Sequence, residues 1–187
     1  MKKFNFGVVI VFLILGLGMT PGADAANRKD VLVIGMATSD IISLDPAKAF
    51  EFSGVGIDAQ IYDRLLDFKA GVFDKPELSL AESYEVSPDG KTWTFKLRKD
   101  VKFHSGNPLT ADDVVYSFQR VVILKDQPSF ILTQFGITPD AVRAIDSHTV
   151  QVTLDKKYAG GIFFACLAAG VASIVDSQVV KQHIQKT

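Results

Sequence analysis

Cysteine, histidine and tryptophan are nearly missing from this chain of 187 residues, which holds one Cys, three His and one Trp. A lone cysteine excludes an internal disulfide framework, so the core must hold by packing. Cys166 lies in FFACLAA, where a small buried side chain is expected in place of a reactive thiol. His104, His148 and His183 show no HxxxH spacing, so no metal and no cofactor is expected. Ser43, Ser53 and Ser105 lack a GxSxG setting, which removes the nucleophile elbow. Gly54-Val55-Gly56 is too brief to cradle a phosphate. No catalytic residue is assigned, and the chain is not read as an enzyme. Excess charge is missing too: 20 Lys and Arg face 21 Asp and Glu. That balance argues against nucleic acid, which calls for clustered cations. No internal repeat or low-complexity tract is present.

Long apolar runs are also absent. Gly7–Leu17 supplies eleven apolar residues, whereas a spanning helix needs roughly 20. With Lys2 and Lys3 before it and Ala23-Asp24-Ala25 after it, this run reads as a cleavable signal peptide over residues 1–25. An uncleaved anchor is the rival reading. Cleavage removes two positive charges and one negative, which moves the formal net charge from −1 to about −2. No lipobox cysteine follows, so a soluble periplasmic protein is expected. Tyr158–Val175 carries no charge over 18 residues, but its glycines, alanines and serine make it weakly apolar. It is predicted to be a buried helix followed by a short strand, Ala172–Val175.

What is present is well patterned. Asp30–Met36 (DVLVIGM) reads as a strand buried on both faces. Ser43-Leu44-Asp45-Pro46 is a turn, because Pro46 fixes φ and biases Asp45 away from helix. Ser53–Asp67 is predicted to be an amphipathic helix with Ser53 as N-cap, Val55, Ile57, Ile61, Leu65 and Leu66 inward and Asp58 and Asp63 outward. Ser87-Pro88-Asp89-Gly90 is a turn. Lys91–Arg98 after it alternates, with Trp93, Phe95 and Leu97 on one face, and Glu82–Val86 is the natural hairpin partner. Thr110 is placed as the N-cap of the next helix, with Asp112 and Asp113 favoured by the helix dipole. Adjacent on a helix, those two diverge by about 100° and cannot share one proton or metal. Val114, Phe118, Val121 and Val122 form the inward stripe. Asp146–Asp155 is a strand with Val150, Val152 and Leu154 inward, and Val179–Lys186 begins a last helix.

Taken in order, Ser43–Pro46, the helix ending near Tyr62–Leu66, Ala81-Glu82-Ser83, Asp89–Arg98, Phe103-His104-Ser105-Gly106, Leu109–Phe118 and His148–Leu154 form a series. That series resembles the bacterial extracytoplasmic solute-binding proteins of the oligopeptide/dipeptide class, the receptors of ABC importers. The resemblance implies an α/β fold of α+β character: a periplasmic-binding-protein-like first lobe with an added β-rich subdomain, the second lobe being absent. Residues 26–63 would start the first lobe, 64–175 form the subdomain, and 176–187 begin the return, so that the chain is an N-terminal portion. It also implies a ligand cleft lined by Phe50, Glu51, Phe52 and Ser53 and by the loop Ser129–Phe135, with Phe130 and Gln134. Glu51 is either a contact for a cationic ligand group or an ordinary exposed glutamate. Phe52 and Phe130 either pack on ligand or serve the core. The implied partners are a short peptide or similar small solute and the importer's membrane permease subunits, with the chain a monomer. The fold also serves nickel complexes, haem, opines and oligosaccharides. The alternative is a secreted structural or interaction domain derived from that fold, without transport.

Overall fold

The computed structural model describes residues 33–69, 71–72 and 75–184. Residues 1–35 and 36–187 form separate units. Of the first, Val33–Gly35 have no regular structure and are exposed, so the strand expected over Asp30–Met36 is not found there. A strand buried on both faces needs a packed layer on each, whereas these residues are exposed and no described strand pairs with them. Asp30–Leu32 and the expected signal peptide lie outside the described residues.

The second unit is built on a four-stranded antiparallel sheet of order β3-β4-β6-β5. The strands are β3 (Ala81–Val86), β4 (Thr92–Leu97), β5 (Val142–Asp146) and β6 (Thr149–Thr153). A two-residue pair, β1 (Leu66–Asp67) with β2 (Glu77–Leu78), lies apart from it. The hairpin β3–β4 forms as its sequence predicts, and β6 pairs with β4 on the other side, setting Phe95 opposite Tyr84 and Val150. The alternation of β4 is fulfilled: Trp93, Phe95 and Leu97 are buried, as are Val150, Val152 and Leu154 on and just after β6.

Among the described residues five helices accompany the sheet: α1 (Phe52–Ile61), α2 (Ala111–Leu124), α3 (Phe130–Thr133), α4 (Gly160–Leu167) and α5 (Ser177–His183). Helix α2 packs on β5 and β6 with its predicted stripe of Val114, Phe118, Val121 and Val122 buried. Helix α4 brings Phe163 and Phe164 onto Trp93, ring centroids 5.2 and 5.1 Å away. No described helix is long and apolar enough to cross a membrane. After α4 the expected strand Ala172–Val175 is missing. The backbone there satisfies its donors one at a time, Ile174 N–H on the Asp63 carbonyl and Val175 N–H on Ser117 Oγ, so no ladder is needed.

Two carboxylates tie the ends of this unit together. At the start of α2 Thr110 is the N-cap residue, as expected, in a capping box with Asp113, whose Oδ2 accepts from Thr110 N–H at 2.9 Å and Thr110 Oγ–H at 2.8 Å. Its Oδ1 accepts the Ser177 N–H at 3.0 Å, which fixes the start of α5. Asp176 in turn caps α5 through Gln178 and Val179 N–H. It also receives Ser105 Oγ–H and Asn107 Nδ2–H from the HSGN turn, at 2.5 and 2.9 Å. Because Asp113 is buried and serves two helices, Asp113→Ala is expected to cost about 2–4 kcal/mol, above the usual cap loss of about 1 kcal/mol. Urea unfolding measures the difference, and a loss under 1 kcal/mol would contradict the double role.

The helix predicted over Ser53–Asp67 is shorter and turned differently. It ends at Ile61, with Glu51 at the N-cap position making no side-chain cap bond. Its buried residues are Ser53, Gly54 and Asp58, while Phe52 and Ile61 are exposed. Tethers, not polarity, set this face: Ser53 Oγ–H donates to the Ala37 carbonyl and Ser53 N–H to Asp40 Oδ2, both at 3.2 Å. Leu65 and Leu66 are buried as expected, but on the extended segment entering β1.

Candidate solute-contact surface

The segment carrying the predicted contacts is aimed by the Ser43–Pro46 turn. Ser43 Oγ accepts the Asp45 N–H at 3.0 Å and Asp45 Oδ1 accepts the Ala47 N–H at 3.1 Å, a side-chain-closed turn. The Asp45 carboxylate then meets the Arg120 guanidinium of α2 in a two-pronged pair, Nη1 to Oδ1 at 2.6 Å and Nη2 to Oδ2. Burial alone would raise the Asp45 carboxyl, but the hydrogen bonds and charge of Arg120 outweigh it and hold the group below its ordinary value. A half-buried bidentate pair is geometrically specific. It locks the turn onto α2, and the buried Ala47 and Ala49 bring the chain to Phe50.

There the structure joins the two predicted contact segments. The rings of Phe50 and Phe130 meet edge to face, centroids 5.9 Å apart at 81°, a favoured aromatic geometry. Both stay accessible: Phe50 is 40 %, Phe130 53 % and Phe52 93 % exposed. None of the three therefore does ordinary core duty. Phe130 opens α3 and follows buried Pro128 and Ser129 in a tight turn.

The remaining predicted residues divide. Glu51 is half-buried, and its Oε2 accepts the Phe50 N–H at 3.2 Å. Ser53 is buried and its hydroxyl is committed to Ala37, so it shapes the turn. Gln134 is exposed, one turn beyond Phe130; its Nε2–H donates to the Ile131 carbonyl at 2.9 Å and lies 3.6 Å from Cys166 Sγ. Cys166 is half-buried, not fully enclosed as its apolar neighbours suggested, and burial pushes its thiol up, away from the reactive thiolate. Among the described residues no group of three or more His, Cys, Asp or Glu is placed to hold a metal.

The surface is open. Concave space lies elsewhere: a trough of about 900 Å³ between α2 and α5, bordered by Tyr116, Ile123 and Val180, and a hollow of about 290 Å³ beside Phe103 and Ile174. Neither includes Phe50 or Phe130. Sequence reading did not find Arg120 or Asp40, which position the site from a distance. The Asp45-Pro46 pair was a turn signal only, and nothing local announces a partner 75 positions away.

The chain is similar to known proteins over most of its length. A family model described as bacterial extracellular solute-binding proteins, family 5, middle region, matches residues 75–186. The chain is 34% identical over 186 residues to a probable D,D-dipeptide-binding periplasmic protein of Escherichia coli, covering 97% of this chain and 34% of that one. It is 36% identical over 153 residues to heme-binding protein A of Haemophilus influenzae, covering 73% and 27%. The chain thus spans about a third of the length of these relatives. Among solved structures, the unliganded open form of the murein tripeptide-binding protein MppA superposes with a TM-score of 0.68 at 29% identity, covering 76% of this chain and 30% of that one. The OppA of Haemophilus influenzae in complex with the peptide RPPGFSPFR gives 0.68 at 26%, covering 75% and 29%. The observed fold is accordingly α/β and periplasmic-binding-protein-like. With the family model matching more than half of its residues, the chain belongs to the bacterial extracellular solute-binding proteins, family 5.

Proposed function

We propose that this chain is part of the periplasmic substrate-binding component of an ABC importer, taking oligopeptides, dipeptides or a similar small solute. The observation that supports the reading is the exposed Phe50–Phe130 pair, held by the Asp45–Arg120 lock in the segments expected to line a ligand cleft. Exposed aromatics fixed by a rigid frame give contact area at low entropic cost. Phe52 and Gln134 extend that wall, and Glu51 supplies a carboxylate for a cationic ligand group. In this reading residues 1–25 are a cleaved signal peptide, 26–63 open the first lobe, 64–175 form its subdomain, and 176–187 return to it. Binding proceeds without covalent chemistry, metal or nucleic acid, by a monomer that delivers its solute to membrane permease subunits.

The test is calorimetric titration of the chain with a set of di- to pentapeptides. A saturable heat with at least one peptide is expected, and Phe130→Ala should weaken it about tenfold, the worth of one aromatic contact. No saturation with any peptide, or equal affinity in the variant, would favour a secreted domain that kept the fold without transport.

A further inference from the structure

Asp58, in the middle of α1, is fully buried at 0 % exposure. Neither carboxylate oxygen has a hydrogen-bond partner among the described residues. An ionised carboxylate without a partner is among the costliest groups to bury. The neighbourhood offers no relief. From the Ser43–Pro46 turn the charge that faces it is Asp45, of the same sign, whose own oxygens are taken by Arg120 and the Ala47 N–H. From the end of its own helix comes Tyr62, whose hydroxyl donates to the Leu44 carbonyl at 3.4 Å. On α2 the cation that acts on Tyr62 is Arg120, already engaged by Asp45 in both prongs. The Gly170–Ala172 turn that packs on α1 brings only Gly, Val and Ala.

We propose that Asp58 is a proton-binding site of the folded chain: it takes up a proton as the medium turns mildly acid, and the neutral acid holds α1 in its seat, steadying the turn that carries Phe52 and Ser53. Burial first, and the Asp45 charge second, push its carboxyl up to about 6 from an ordinary value of 3.8. Between those two values the folded chain carries a proton that the unfolded chain releases, so this group makes folding more favourable as pH falls from about 7 toward 4. Asp45 acts with the opposite sign. Its lowered carboxyl contributes stability above its ordinary range and loses it only in stronger acid. The two together place the stability optimum of the α1 region on the acid side of neutrality, whichever solute the chain binds.

The experiment compares thermal unfolding of the full chain and of Asp58→Asn at pH 7.5 and 5.5, with the carboxyl carbon of Asp58 followed by ¹³C NMR across the same range. Asparagine mimics the protonated acid. The variant is expected to melt about 3–8 °C above the parent at pH 7.5, with the gap already narrower at pH 5.5 and closing only toward pH 4, and the Asp58 carbon should titrate near 6. A variant that melts below the parent at pH 7.5, a gap that stays constant with pH, or a carbon that titrates near 4 would each overturn the proposal. The NMR measurement needs only the parent chain, so it decides the matter even if the variant folds poorly.

Discussion

Gly136→Val should lower the stability of this chain by about 3–5 kcal/mol, and its melting temperature by about 6–20 °C. Gly136 ends the short passage from α3 into the core at φ +69°, a conformation that β-branched residues almost never adopt. Space is equally short. A Cβ built there would sit 2.4 Å from the Cβ of Asp155, an atom rooted in the backbone that moves only if the chain after β6 moves. That chain is pinned, since the Asp155 N–H donates to the Phe135 carbonyl. The flanking Phe135 and Ile137 are buried, so the strain enters the core directly. Gly90, in the β3–β4 turn, gives the contrast. It has the same sign of φ, +72°, but its Cβ would meet the flexible side chain of Lys157 at 2.9 Å. A lysine stem swings aside, so the loss there is expected to stay near 1–2 kcal/mol. Urea unfolding of both variants checks the ranking, and equal losses would refute the steric argument.

Phe95→Ala is the second large effect, about 3–5 kcal/mol. Phe95 stands at the centre of β4, one of the two inner strands of the sheet, and none of its surface is exposed. Removing the ring leaves a void between β4 and the helices that cover it, and neither side can close without breaking register with Tyr84 and Val150. The expected signature is a lowered urea midpoint with an unchanged slope, because the exposed surface of the unfolded chain barely changes. A loss below 1.5 kcal/mol would mean that the site collapses, and that the core is less rigid than its strand pairing implies.

These two positions show what a sequence can and cannot announce. Phe95 was legible: the alternation Trp93, Phe95, Leu97 has the period of a half-buried strand, and burial enforces it. The stripe on α2 was legible for the same reason at a period of 3.6. The clash that a side chain at position 136 would make with Asp155 is a tertiary fact that no local pattern announces. Long-range polar pairings were hidden altogether. Nothing local in His104-Ser105-Gly106 announces that Ser105 and Asn107 hold Asp176 at the head of α5. The Ser43–Pro46 motif looked like a turn, yet its purpose in the fold is the pair with Arg120. Helix α1 was found, and its face was assigned by polarity; the Ser53 tethers to Ala37 and Asp40 set that face instead and buried Asp58. The contact surface stands between these cases. Resemblance picked Phe50 and Phe130 from two segments far apart in sequence, and only the folded chain shows their rings in contact.

The most direct test of the account is an amide-resolved NMR titration of the ¹⁵N-labelled chain with a binding peptide. Chemical-shift changes are expected to concentrate on Phe50–Phe52 and on Ser129–Gln134, with the trough between α2 and α5 unaffected. Changes centred on Tyr116, Ile123 and Val180, or none at millimolar peptide, would contradict it.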